Sequence, residues 1–134
     1  MTADQLSPEV HALLRSHIET VLQLELLLLL HRDPNQWWTA EAVHRAHPST
    51  IDATRGYLHA LCVARLVECR DEAEPLFRFA PARPQDAATV GVLAALFRTH
   101  YYSIVEAIYA PRRRDIHAFA DAFKLNKKKG DGDG

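Results

Sequence analysis

The residues of this 134-residue chain that could do chemistry are eight histidines, two cysteines and scattered carboxylates. His44 and His47 are spaced i, i+3, which would suit a pair of metal ligands. Cys62 and Cys69, however, have no histidine pair beside them and lack the spacing of a zinc site. The sequence also contains no phosphate-binding loop, nucleophile elbow or catalytic Cys/His arrangement. We therefore predict no metal, no cofactor and no enzymatic activity.

The same two cysteines and the chain's hydropathy indicate the compartment. Two cysteines are too few for a disulfide framework, so we expect a reduced protein, with Cys62 a buried core thiol and a redox switch as the alternative. The longest unbroken apolar run, Leu26–Leu30, is far shorter than the ~20 residues that cross a bilayer. Residues 1–5 do not resemble the start of a secretion signal. We expect a soluble, cytoplasmic protein.

Helices are predicted through the first half of the chain. Ser7-Pro8-Glu9 has the residue types of a helix start, and the helix should run to about Arg15. Either this helix continues, or a second one begins at Ser16 or Thr20; the segment Val21–Leu30 that follows is helical and apolar on nearly every face. It should be the buried centre of the fold. Asp33-Pro34-Asn35 ends it.

A short helix, a second helix and a hairpin are predicted next. Thr39 can cap a helix over Ala40–Ala46, and Ser49, with Asp52 as a variant capping box, can cap another after His47-Pro48. The segments Leu66–Cys69 and Leu76–Phe79 are compatible with strands joined by a polar turn.

The C-terminal third predicts a long helix from about Gln85 to Tyr109 and a last helix over residues 116–125, followed by a disordered tail at 126–134. One apolar stripe of the long helix exceeds what a small core is expected to cover, although part of it must pack on the N-terminal helices. We predict a homodimer formed through Val90, Leu93, Phe97, Tyr101, Ile104 and Ile108.

The pattern Leu58-x-x-Leu61-x-x-x-x-Leu66-Val67, followed by a charged turn and Phe77-Arg78-Phe79, resembles the winged helix-turn-helix superfamily of bacterial regulators. Trp38-Thr39-Ala40-Glu41 resembles the start of that family's first helix-turn-helix element, and the trailing helices resemble those of MarR and PadR regulators. The resemblance covers about residues 18–80. It implies a mainly α fold, with a winged helix-turn-helix, a short β-hairpin wing and a C-terminal helical extension. The chain would divide into residues 1–80, 81–125 and 126–134.

The resemblance implies a dimeric transcriptional regulator that binds DNA. Helix 49–62 would enter the major groove, and the basic residues at 112–114 and 124–129 would add backbone contacts. The segment 111–129 has seven basic and two acidic groups, a balance of +5. The predicted DNA-binding residues are Ser49, Thr50, Ala53, Arg55, Gly56, His59, Arg112, Arg113 and Arg114. Alternatively, Arg55 pairs with Asp52 or Glu68, and the basic tail only aids solubility.

Three departures from the family pattern support a second hypothesis. Arg65 stands where the family often has a turn glycine, so the turn must avoid a positive φ or accept strain. Asp52 would repel a phosphate, and the wing tip is acidic, with Asp71, Glu72 and Glu74. The alternative function is a winged-helix module that binds a protein partner through the acidic wing and does not bind DNA.

Aromatic residues offer one more choice. Trp37-Trp38 and Tyr101-Tyr102 could line a pocket for a small effector molecule. We favour the simpler interpretation, in which Trp38 seals the first helix-turn-helix element and the tyrosines belong to a helix–helix contact.

Overall fold

The computed structural model describes residues 6–110 of the chain. Its elements, in chain order, are α1 (Pro8–His17), α2 (Val21–Arg32), β1 (Trp38–Thr39), α3 (Ala40–Ala46), α4 (Ile51–Val63), β2 (Val67–Arg70), β3 (Leu76–Phe79) and α5 (Pro84–Leu96). Residues 101–110 are also helical and are called α6 here. The predicted fold class, mainly α with a winged helix-turn-helix layout, is confirmed.

Side-chain caps fix the starts of α1 to α4. The Ser7 hydroxyl accepts a hydrogen bond from the Val10 backbone N–H at 3.2 Å, and Thr39 does the same for Ala42 at 3.0 Å, as predicted. Of the two predicted starts for α2, Thr20 is the cap. The prediction that Ser49 caps α4 is wrong. Thr50 is the cap, because its hydroxyl accepts the Ala53 N–H at 3.0 Å, one residue later than expected.

The core is built around α2, as its sequence predicted. Leu24, Leu26, Leu27 and Leu30 are each completely buried. Gln23 is also fully buried: its side-chain amide donates to the His17 carbonyl at 3.0 Å and accepts the Glu19 N–H at 2.8 Å. Since both polar ends of this side chain are satisfied, Gln23 ties the turn between α1 and α2 to the core.

The sheet has three antiparallel strands in the order β1-β3-β2. The hairpin β2–β3 was predicted, with Val67 opposite Phe79 and Arg70 opposite Leu76. The two-residue strand β1 was not predicted; it pairs Trp38 with Phe77. Two residues are too few for a periodic signal in the sequence. Phe77 and Phe79 point into the core from β3.

The predicted single helix over residues 85–109 is wrong, because the chain turns at residues 97–100 and only then continues as α6. The Thr99 hydroxyl lies 3.4 Å from the Leu96 carbonyl oxygen and 2.8 Å from His100 Nδ1. Such local side-chain bonds compete with helical ones and favour a break. The Tyr109 hydroxyl then accepts the Val21 N–H at 3.1 Å, which ties α6 to the start of α2.

Because of this turn, most residues of the predicted dimerisation stripe are buried inside the chain. Val90, Leu93, Ile104 and Ile108 are buried in the chain's own core. They cannot contact a second copy in this conformation, so the prediction that these four form a dimer surface requires correction. Folding α6 back on the core covers the side chains that a straight helix would expose. Phe97 remains partly exposed and Tyr101 is 40% exposed.

Several predictions concern parts of the chain outside residues 6–110. These are Arg112, Arg113 and Arg114, the helix over 116–125 and the disordered tail over 126–134. The division at residue 80 also stays a prediction. None of the helices among residues 6–110 combines the length and the hydropathy that a membrane-spanning helix needs.

Candidate nucleic-acid interface

The turn after α4 sets the angle between that helix and the hairpin. The Leu66 N–H donates to the Leu61 carbonyl at 3.1 Å, and the Arg65 N–H donates to the Cys62 carbonyl at 3.0 Å. These two bonds form a Schellman motif, whose accompanying contact is between Leu61 and Leu66, both fully buried. Arg65 itself has φ 63°, so of the two outcomes left open by the sequence, the turn accepts the positive φ.

Helix α4 has a buried face and an exposed face. Thr54, Leu58 and Leu61 are completely buried, so the two leucines attach the helix to the core as predicted. Arg55 and His59 are exposed and one turn apart. Gly56 is exposed beside them, and a Cβ added there would meet no atom within 4 Å. The exposed face therefore presents the Arg55 guanidinium and the His59 imidazole, with no side chain at Gly56 between them.

A groove of about 710 Å³ lies between α4 and the hairpin. Arg55 and His59 line it from the helix, and Glu41 lines it from the first turn of α3. The hairpin contributes Arg70 and the turn between its strands, with Asp71 and Glu74. The predicted recognition helix and the acidic wing tip thus face the same space.

The arginines of the hairpin already have protein partners. Trp37 is flanked by both of them, with the Arg70 and Arg78 guanidinium carbons 4.6 and 4.5 Å from its ring centroids. Arg70 also lies 3.5 Å from Glu72, and Arg78 forms an ion pair with Glu68. The hairpin, residues 67–79, carries two arginines and four acidic residues, a balance of −2.

Arg55 differs from those arginines. No ion pair or hydrogen bond joins its side chain to another of the described residues, 6–110. The proposed pairing with Glu68 is wrong, because Glu68 pairs with Arg78, and the proposed pairing with Asp52 is not formed. Arg55 is therefore available to a ligand in the groove.

The expectation of unpaired cysteines is also wrong. Cys62, at the end of α4, is joined to Cys69 of β2 by a disulfide whose Cα atoms are 6.1 Å apart. Cys62 is half-buried and Cys69 is exposed, so Cys62 is not a core thiol. Both line the groove. Spacing alone does not predict this bond, because Cys62 and Cys69 come together only where the Schellman turn reverses the chain.

The other predicted DNA-binding residues on α4 lie around its N-terminus. Thr50 is exposed, whereas Ser49 and Ala53 are half-buried. The Ser49 hydroxyl lies 2.8 Å from the Thr54 hydroxyl, so it takes part in the structure of the helix start. Of the nine predicted residues, the groove is lined by Arg55 and His59. The sequence analysis missed Glu41 and Arg70, whose place in the groove depends on the packing of α3 and the hairpin.

The remaining candidate groups have local roles. His47 Nε2 lies 3.0 Å from a Glu25 carboxylate oxygen. Among residues 6–110 there is no group of three or more His, Cys, Asp or Glu side chains that could hold a metal ion. Trp38 packs against the core. Tyr101 makes edge-to-face contacts with Phe97 and Tyr102 at 5.5 and 5.8 Å. Trp37 and Tyr101 thus belong to separate aromatic clusters.

No family model matches the chain, and no curated protein matches it. One similar solved structure is that of Bordetella bronchiseptica BpsR, described with the regulation of its DNA binding by 6-hydroxynicotinic acid. It is 18% identical, with a TM-score of 0.46, over 95% of this chain and 87% of that one.

Proposed function

We propose that this protein is a cytoplasmic, bacterial-type winged-helix transcriptional regulator that binds DNA through α4. The observation that carries the proposal is Arg55: it is exposed at the middle of α4, has no protein partner within residues 6–110 and faces an open groove. A guanidinium in that position can donate two hydrogen bonds to a guanine edge or bind a phosphate. His59, one turn along the same face, is a second donor.

Gly56 supports the same assignment. Glycine in an exposed helix interior lowers stability by about 1 kcal/mol relative to alanine. No neighbouring atom requires the missing side chain, since a Cβ would meet nothing within 4 Å. A helix surface that must lie close against another molecule gives a reason for this glycine that packing inside the chain does not.

The mechanism we propose is steric. A dimer occupies a promoter and excludes or positions the polymerase, with Ser49, Thr50, Ala53, Arg55, Gly56 and His59 at the base edges and Arg112, Arg113 and Arg114 on the backbone. Phosphate contacts would set the register, and the residues of α4 would supply the sequence preference.

The test is fluorescence anisotropy with labelled duplex DNA, titrated from about 50 to 200 mM salt, where phosphate-driven binding weakens steeply. We first expect salt-sensitive binding of a random-sequence duplex by the wild type. After selection of a preferred sequence, Arg55→Ala should weaken binding to it by about 1–3 kcal/mol and reduce the discrimination against random DNA.

Arg15→Ala is the matched control, because Arg15 is an exposed arginine on α1 and its loss changes the net charge equally. It should leave the sequence preference unchanged. If Arg55→Ala and Arg15→Ala have equal effects, α4 does not read the bases. If the wild type does not bind at the lowest salt, the protein is not a DNA-binding regulator of this kind.

The acidic hairpin favours a second candidate, a module that binds a protein through the same groove. Asp71, Glu72 and Glu74 are all exposed, and the groove also has apolar lining from Ala40, Pro75 and Phe77. Such a surface suits a basic segment with apolar side chains. Asp71→Lys with Glu74→Lys should then release a partner in a pull-down, whereas Glu9→Lys on α1 should not. If no partner is retained by the wild type, this candidate fails.

We also propose that the regulator is a dimer. With four residues of the stripe buried, the surface that supports this proposal is smaller than predicted. It consists of Phe97, Tyr101 and Tyr102, whose rings are in edge-to-face contact and of which Tyr102 is 86% exposed. Exposed apolar side chains that lie near each other are a common feature of protein interfaces.

A further inference from the structure

The disulfide occupies one end of the surface assigned to DNA. Arg55, His59 and Cys62 follow one another at i, i+4 and i+7, so they form one stripe along α4. Cys69 meets that stripe from β2, directly before Arg70 and the acidic turn. The bond is therefore a covalent link between the helix and the hairpin that form the two walls of the groove.

We propose that the Cys62–Cys69 pair is a reversible thiol–disulfide switch that controls access of DNA to the groove. This inference rests on the proposed DNA-binding function and adds its regulation. In the oxidised form, the link holds Asp71 and Glu74 in the groove that also contains Arg55. The carboxylates of Asp71 and Glu74 then lie where DNA phosphates would approach Arg55, and they repel those phosphates.

The bond is accessible to the chemistry that the switch requires. Cys69 is exposed, so a small thiol in its thiolate form can attack its sulfur. The Cys62–Cys69 bond breaks, Cys62 leaves as a thiolate that takes up a proton, and the small thiol remains bound to Cys69. A second small thiol attacks this mixed disulfide, releases Cys69 as a thiol and leaves as the oxidised small-thiol dimer. Two electrons and two protons have then entered the protein.

Oxidation can return through a peroxide. One cysteine thiolate attacks the peroxide and becomes a sulfenic acid, and the hydroxide or alkoxide that leaves takes up a proton from the solvent to give water or an alcohol. The other thiol then attacks that sulfur, releasing water and restoring the disulfide. In a reducing cytoplasm, accessible disulfides of this kind are usually transient and regulatory rather than permanent.

Reduction should release the end of the hairpin while the rest of the wing stays in place. Val67, Phe77 and Phe79 remain held in the core, and β3 remains paired with β1. Residues 71–75, by contrast, are exposed and lie outside the paired strands, since the β2–β3 ladder ends with Arg70 opposite Leu76. Without the link, this turn can move away from Arg55, so the repulsion of phosphates falls.

The experiment compares DNA affinity in the oxidised and reduced wild type, with the redox state confirmed by thiol alkylation and mass spectrometry. Hydrogen exchange of residues 71–74 reports the turn of the hairpin independently of DNA. We expect faster exchange on reduction and roughly three- to tenfold tighter DNA binding, the effect of removing two like charges from a surface site. Re-oxidation with hydrogen peroxide should reverse both changes.

Two variants separate the link from the charges. Cys62→Ser with Cys69→Ser should behave like the reduced wild type whether or not reductant is present, after circular dichroism has confirmed its fold. Asp71→Asn with Glu74→Gln should keep the disulfide but bind DNA equally in both redox states. Equal DNA binding by the oxidised and reduced wild type, or tighter binding when oxidised, would overturn the switch. No DNA binding in either state would overturn the proposed function itself.

Discussion

Replacing Arg65 by glycine should stabilise the protein, although it removes a side chain. Arg65 has φ 63° at the turn between α4 and β2. For a residue with a Cβ, the left-handed conformation costs roughly 1–2 kcal/mol, which glycine avoids. Glycine in turn adds about 0.5–1 kcal/mol of backbone entropy to the unfolded state. The expected net gain in the free energy of unfolding is therefore between about 0 and 1.5 kcal/mol.

The comparison works because little else changes at this position. The Arg65 side chain is exposed and its backbone N–H and carbonyl remain available for the bonds to Cys62 and Ala82. Urea unfolding followed by circular dichroism should show a higher midpoint with an unchanged m-value. Arg65→Val is the matched control, since a β-branched residue tolerates this φ least, and it should lower the midpoint. If Arg65→Gly lowers stability, or if Val and Gly have equal effects, the left-handed turn is not a source of strain.

Three further predictions concern other parts of the chain. Cys62→Ser with Cys69→Ser should lower the free energy of unfolding by roughly 2–3 kcal/mol, because a short closed loop is lost from the constraints on the unfolded state; reductant should lower the urea midpoint of the wild type and leave that of the variant unchanged. Gln23→Ala should lower the free energy of unfolding by about 1–3 kcal/mol, because the Glu19 N–H and the His17 carbonyl lose their partner. Gln36→Ala, at an exposed position, is the control. Tyr101→Ser with Tyr102→Ser should shift the mass measured by light scattering from dimer to monomer, and a wild type that is monomeric at micromolar concentration would refute the dimer.

The helical elements could be predicted because their signals are local. Ser7, Thr20 and Thr39 are caps that lie within three residues of the N–H groups they accept. The continuous apolar run of α2 could only be buried. These patterns depend on neighbours in the chain, so no knowledge of tertiary contacts was needed to find them.

The break before α6 could not be predicted from periodicity. Val90, Leu93, Ile104 and Ile108 keep helical spacing across residues 97–100, and a straight amphipathic helix has the same pattern. What decides the outcome is burial of Ile104 and Ile108 in the same core as α2, together with the bond between Tyr109 and Val21. Tyr109 and Val21 are 88 residues apart, so no local pattern in the sequence marks this contact.

The part of the candidate site that lies on α4 was predicted, and the part that α3 and the hairpin contribute was not. Arg55, Gly56 and His59 are neighbours on one helix, so their common exposure follows from spacing and from the burial of Leu58. Glu41 and the Cys62–Cys69 bond join that surface only through the turn at Arg65 and the hairpin that follows. Residues other than glycine rarely adopt a positive φ, so residue type alone does not predict the turn at Arg65 or the position of the hairpin after it.

The charge distribution limits how the proposed interface could work. The hairpin has a balance of −2, and α4 has one arginine and one aspartate, so this face provides little attraction for phosphates. The only concentration of positive charge is at residues 111–129, with a balance of +5. If DNA binds, most of its salt-dependent affinity must therefore come from that segment, and α4 must supply discrimination between sequences. A switch in the groove suits this arrangement, because moving the carboxylates of Asp71 and Glu74 changes a large part of the small net charge on the face formed by α4 and the hairpin.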